Sequence, residues 1–205
     1  MTTLSQCGEI GKHNRLKICR PLGLVGSSPT TGTIFMRQLD CDTPKGQQFI
    51  IKQHEVERWI EQRFGVKVKT SNNKIEKYDA GIYRNDNLSA VCEIKTREFW
   101  NRLKKEPFTV ERMKQSDYLI TAEKLDVLQQ QSKLHSIPSL IFLRIPHDNK
   151  VAMIQVTDRE GNFMIDFETR VSRTFYSIND EKGKTPRSNA FIKYSPKVCK
   201  FYSFS

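Results

Sequence analysis

The sequence predicts an α/β (α+β) fold, a central mixed β-sheet flanked by helices in the order αβββαβ with a C-terminal β extension. Three observations point there. Apolar residues recur at three and four between Lys45 and Phe64 and again between Thr121 and Ser136, the spacing of helix faces. Runs with strand-like alternation lie between those helices. After the second helix comes a nearly continuous apolar run, Ser139–Ile145, as in a strand covered on both faces. A chain of 205 residues holds one domain with a real core and hardly two. We divide it into a leader (1–35), a core (36–160) and an extension (161–205) packed on the same domain.

Taken in order, residues 1–35 are rich in Gly, Ser, Thr, Pro and basic residues without a sustained apolar period, so they are expected to be disordered. Cys7–Gly11 through Val25–Gly32 reads like the in-frame translation of the end of a transfer-RNA gene. That reading makes Met36 the start; the competing one is a basic organelle-targeting leader. Phe49, Ile50, Val56, Trp59, Ile60 and Phe64 give the first helix its stripe, with Trp59 a core anchor, and Gly65 stops it. Val66–Thr70 alternates as a strand. Tyr78–Arg84 and Leu88–Thr96 form a hairpin around Asn85-Asp86-Asn87, residue types that favour turns. Arg97–Ser116 lacks a clean apolar face and reads as a mobile basic connection or an exposed helix. The second helix shows Leu125, Leu128 and Leu134 on one stripe. Val151–Val156 is the hairpin partner of Ser139–Ile145, turning through Pro146–Asn149. Beyond Asp158, Asn162–Arg170 and Asn189–Tyr194 look like strands and Asn179–Arg187 like a loop, with no chemistry assigned.

Composition narrows the function. The 34 Lys and Arg against 23 Asp and Glu give a formal charge of +11, which suits a polyanionic partner such as DNA. Five scattered cysteines without a C-x-x-C pair argue against a zinc site or a disulfide framework and fit a reducing, cytoplasmic setting. No apolar run approaches the roughly 18 residues of a membrane helix.

The hairpin carries the chemistry. With a three-residue turn centred on Asp86, Arg84 faces Leu88, Ile82 faces Ala90, and Asp79 faces Glu93. Directly opposed residues have Cα atoms about 4.5–5.5 Å apart, near enough for both carboxylates to grip one divalent cation. Lys95, two residues on, shares that face, whereas Ala80, Ile82, Ala90, Cys92 and Ile94 form an apolar opposite face. Like charges set opposite one another cost stability, and a cation removes the conflict. Mg²⁺ or Mn²⁺ suits such oxygen ligands, with the Ile94 carbonyl as a further one, and would polarise a phosphate oxygen and activate water. Lys95 would orient that water or neutralise transition-state charge. Two other acid-x-Lys triplets, at Asp148–Lys150 and Asp180–Lys182, fall in polar turns without apolar flanks.

At these residues the chain resembles the PD-(D/E)XK, or restriction-endonuclease-like, nuclease superfamily. Tyr78-Asp79-Ala80-Gly81 stands where the first motif acid is expected, though without its proline, and Glu93-Ile94-Lys95-Thr96-Arg97 matches the second motif. The resemblance covers about residues 46–158. Tyr118–Leu125 and Ile137–Arg144 are similar to segments of archaeal Holliday-junction resolvases, which usually carry Gln where Lys124 stands. The whole is similar to phage and prophage proteins joining this core to a C-terminal extension.

The resemblance implies catalytic Asp79, Glu93 and Lys95, joined by a first-helix Glu from among Glu55, Glu57 and Glu61, of which Glu55 is favoured. It implies a Mg²⁺- or Mn²⁺-dependent endonuclease acting on DNA, including branched or junction DNA, and a homodimer where both strands are cut. Arg97, Arg102, Lys104, Lys105 and Lys124 are the nucleic-acid-binding candidates, balanced against simple solvation. The alternative function is a non-catalytic nucleic-acid-binding module on the same fold.

Overall fold

The structure is a computed structural model that describes residues 44–71, 77–101, 104–175 and 184–205. The expectations for residues 1–35 and Met36 lie outside the described residues. The chain divides into two units, residues 1–47 with 177–179, and residues 48–176 with 180–205.

Helix α1 spans Pro44–Phe64, and Gly65, at φ 61°, stops it in the left-handed conformation that glycine adopts without strain. Strands β1 (Lys67–Thr70), β2 (Ala80–Arg84) and β3 (Asn87–Thr96) follow as expected. Arg97–Ser116 is neither a loose connection nor one exposed helix. It folds into a small hairpin, β4 (Phe99–Asn101) and β5 (Glu106–Pro107), and a short helix α2 (Val110–Gln115) capped by the Thr109 hydroxyl. Phe108 and Met113 explain the difference. Both are buried, so two isolated apolar residues suffice to dock a segment that lacks a periodic face.

Strand β6 (Tyr118–Thr121) leads into α3 (Ala122–His135), then β7 (Ser139–Ile145), a 3-10 turn at Pro146–Asp148 and β8 (Lys150–Thr157). The extension supplies β9 (Phe167–Phe175), β10 (Lys184–Ile192) and β11 (Cys199–Ser203). Lys184–Arg187, expected in a loop, belongs to β10, because its partner strand β9 runs on to Phe175.

The six-stranded central sheet has the order β1-β2-β3-β7-β8-β11, with β3 and β7 parallel and the other neighbours antiparallel. A parallel pair needs a crossover, and here it carries α3 across one face of the sheet. The two faces hold separate clusters. Val56, Trp59 and Ile60 of α1 meet Ala80, Ile82, Ala90, Cys92, Ile94, Phe142 and Val151 on one face. Leu125 and Leu128 of α3 meet Val91, Ile141, Leu143, Ile145 and Ile154 on the other, closed by Ile120, Ala190 and Ile192 of the second sheet, β6-β10-β9. Leu134 does not join that stripe. It is 72% exposed, and Ser132 takes the inner position by hydrogen-bonding to Thr157.

The β2–β3 hairpin reaches the expected register by another route. Its turn has two residues, Asn85 and Asp86, at φ 50° and 61°, the positive values that a type I′ hairpin turn requires. Arg84 therefore faces Asn87 and Tyr83 faces Leu88, one residue off the expected pairing. A bulge at Ser89 absorbs the difference, and Ile82 faces Ala90, Ala80 faces Cys92.

Candidate active site

Asp79 immediately precedes β2, next to the Ala80–Cys92 pair at which the β2–β3 ladder ends, and Glu93 follows Cys92 on β3. The Asp79 N–H donates to the Cys92 carbonyl at 3.1 Å, and Asp79 Oδ2 accepts the Ile94 N–H at 2.8 Å. Ile94, nominated for its carbonyl, thus contributes to the site through its N–H, by holding the Asp79 carboxylate. The alternation of β3 puts Cys92 and Ile94 under α1, and Val91, Glu93 and Lys95 on the α3 side. Glu93 is fully buried and Asp79 is 6% exposed.

Two lysines bridge this acid pair. Lys95 Nζ lies 2.6 Å from Glu93 Oε1 and 3.5 Å from Asp79 Oδ2. Lys124, in the first turn of α3, lies 2.9 Å from Glu93 Oε2 and 3.7 Å from Asp79 Oδ1, and donates to the Lys77 carbonyl at 3.0 Å. Neither Glu93 oxygen has a hydrogen bond of good geometry, so ion pairs alone balance its charge. Burial pushes the Glu93 carboxyl above its ordinary pKa, with Lys95 and Lys124 opposing and Asp79 adding to the shift. Burial would lower the Lys95 ammonium's pKa, but the Glu93 and Asp79 carboxylates more than reverse this and raise it. Lys95 is consequently held as a cation.

The first-helix acids separate. Glu55 lines a surface depression with Arg58, Trp59, Gln62 and Phe204, and its charge acts on Arg144. Glu55 is the first-helix acid favoured from the sequence, and neither Asp79 nor Glu93 is among these neighbours. Glu57 is the buried one, at 7% exposure, held by Gln53 Nε2 at 2.9 Å, His54 Nδ1 at 2.7 Å and the Thr70 hydroxyl at 3.1 Å. Thr70 pairs with Ala80, next to Asp79, so Glu57 belongs to the same end of the sheet. Glu61 accepts the Val68 N–H at 2.9 Å and anchors β1. The apolar stripe alone could not rank Glu55 and Glu57, because they flank it on opposite sides. What distinguishes them is the strand that lies beyond.

Among the nucleic-acid candidates, Lys124 is placed at the acids. Arg97 donates to the Leu119 carbonyl at 3.0 Å and lies over the Tyr118 ring at 5.7 Å, a tie between β6 and the end of β3. Lys104 and Lys105 are exposed at the β4–β5 turn, and Arg102 lies outside the described residues. Tyr118 was not singled out from sequence. It is 3% exposed, its hydroxyl has no hydrogen-bond partner, and burial pushes its pKa up, with Arg97, Lys95 and Glu93 also acting on it. The signal was the short alternation Tyr118–Thr121 just ahead of a helix start.

Among the described residues, no three His, Cys, Asp or Glu side chains converge as a ready-made metal cage. Asp79 and Glu93 are a pair. Mg²⁺ keeps most of its water and commonly takes only one or two protein carboxylates, so a pair suits it. The buried Glu93 oxygens, lacking hydrogen bonds, fit a cation. Chemically, the arrangement can bind a cation or a phosphate oxygen between two acids and two amines. No helix among the described residues is long and apolar enough to cross a membrane. No protein-family model, curated protein or solved structure matches this chain.

Proposed function

We propose that the chain is a metal-dependent endonuclease that hydrolyses DNA phosphodiester bonds, with branched or junction DNA among its substrates, on a restriction-endonuclease-like core. The observation that carries this reading is the buried Glu93 beside Asp79 on one sheet face, with Lys95 and Lys124 within ion-pair distance of both. Asp79 and Glu93 would hold Mg²⁺ or Mn²⁺, which supplies Lewis-acid polarisation of the scissile phosphate and of the attacking water. Lys95 would donate to the phosphate and neutralise charge developing on it. Lys124 does the same from the α3 side, anchored by the Lys77 carbonyl. Ile94 fixes the Asp79 carboxylate, and Glu57 shapes the sheet end from which Asp79 projects.

A second reading has one specific observation in its favour. Two ammonium groups already balance two carboxylates, so the site is electrically closed without a cation, as a non-catalytic DNA-binding module would have it. The test is a panel of linear, nicked and branched DNAs incubated with Mn²⁺. Glu93→Ala and Lys95→Ala should each lower cutting by roughly 10²–10³-fold with circular dichroism unchanged. Wild-type protein that binds DNA and never cuts under any metal would favour the module.

A further inference from the structure

The two lysines at the acid pair come from different elements, and they divide its oxygens evenly. Lys95 Nζ, from β3, lies 2.6 Å from Glu93 Oε1 and 3.5 Å from Asp79 Oδ2. Lys124 Nζ, from the first turn of α3, lies 2.9 Å from Glu93 Oε2 and 3.7 Å from Asp79 Oδ1. Each ammonium thus bridges one oxygen of either acid. The pair presents two cation seats, and a lysine fills each. Bridging two carboxylates is also the way a divalent ion is held by a pair of acids.

The seats are not equivalent. Lys124 Nζ has an anchor outside the acid pair, the Lys77 carbonyl at 3.0 Å, and its side chain is 28% exposed against 38% for Lys95. A cation in the first turn of a helix opposes the helix dipole, so α3 itself does not favour Lys124 there. The acids and the Lys77 carbonyl hold it in place. Glu93 is fully buried and neither of its oxygens has a hydrogen bond, so removing a positive charge from either seat leaves a buried carboxylate short of compensation.

We propose that Lys124 is a tethered cation that keeps one of the two seats, so that the acid pair accepts one divalent ion, on the Lys95 side, where its oxygens alone would accept two. Displacing Lys95 frees its ammonium for the phosphate, whereas Lys124 stays and acts on the phosphate from a fixed point. The ion on the Lys95 side rests on the nuclease reading; occupancy of the Lys124 seat is measured without DNA or cutting.

The experiment counts Mn²⁺ bound to the full chain, by electron paramagnetic resonance of the free ion during a titration. The wild type should bind one ion per chain and Lys124→Met two, since methionine keeps part of the apolar stem and removes the charge. Lys124→Gln, uncharged but still able to donate to the Lys77 carbonyl, should also bind two and covers failure of the methionine variant to fold. Lys124→Arg keeps the charge and should return the count to one. Without metal, Lys124→Met should melt below the wild type, and saturating Mn²⁺ should raise its melting temperature by more than it raises the wild type's. An ion count in the uncharged variants no higher than in the wild type, or two ions already bound by the wild type, overturns the tethered cation even if the wild type cuts DNA. One ion in the uncharged variants and none in the wild type supports the tethered cation and sinks the metal-dependent nuclease reading alone.

Discussion

The two faces of strand β3 are built from neighbouring residues and have opposite characters. Cys92 and Ile94 lie under α1, packed with Trp59, Ile60 and Phe142 in an apolar cluster. Glu93 and Lys95, interleaved with them, face the α3 side, where Glu93 is as fully buried as Cys92 but is ion-paired with Lys95 and Lys124. Equal burial with unequal chemistry shows which face folding uses and which face it tolerates. A buried carboxylate raised above its ordinary pKa destabilises the ionised form, and ion pairs recover only part of that cost.

The largest test of this contrast is to make the two faces alike. Glu93→Leu with Lys95→Met should abolish cutting while leaving stability to urea unchanged or raised by about 1–4 kcal/mol, since apolar replacement of a buried ion pair is often neutral or favourable. A loss of several kcal/mol would mean that the charged face supports the fold. On the other face, Ile60→Ala should cost about 2–5 kcal/mol in the same assay, because it opens a cavity among residues that cannot follow.

A smaller effect is expected at the hairpin that aligns the faces. Asn85→Val puts a β-branched residue at φ 50° and should cost about 1–2 kcal/mol. The smallest concerns Cys199, on the apolar part of the α3 side, whose thiol burial pushes up to about 12. A raised folded-state pKa means that its contribution is complete below the unfolded thiol's value, roughly 8.5, and is lost as pH rises towards 12. Alkylation of Cys199 at pH 9, followed by peptide mapping, should therefore track global unfolding and not thiol ionisation in the native state.

Much of this contrast was legible from the sequence because strand alternation is local. Period two on Ala90–Lys95 assigned the apolar and charged faces, and helical periods located α1 and α3. Long-range choices were not legible. The burial of Glu57 depends on Thr70 in another strand, and the position of Lys124 at the acids depends on how α3 crosses the sheet. Arg97–Ser116 was misread because Phe108 and Met113 dock it without any period. β11 went unseen because Cys199–Ser203 gains its meaning only beside β8, where Tyr202 and Phe204 meet Trp59.

The bulge at Ser89 also bears on how this hairpin can vary. A three-residue turn with no bulge and a two-residue turn with one bulge bring Ile82 to the same partner, so turn length and strand irregularity are interchangeable here. Changing one of them alone by a single residue would invert β2 and send the Asp79 carboxylate beneath α1. Libraries that randomise this loop should therefore recover functional clones mainly as coupled length changes, with an insertion near Asp86 matched by a deletion near Ser89.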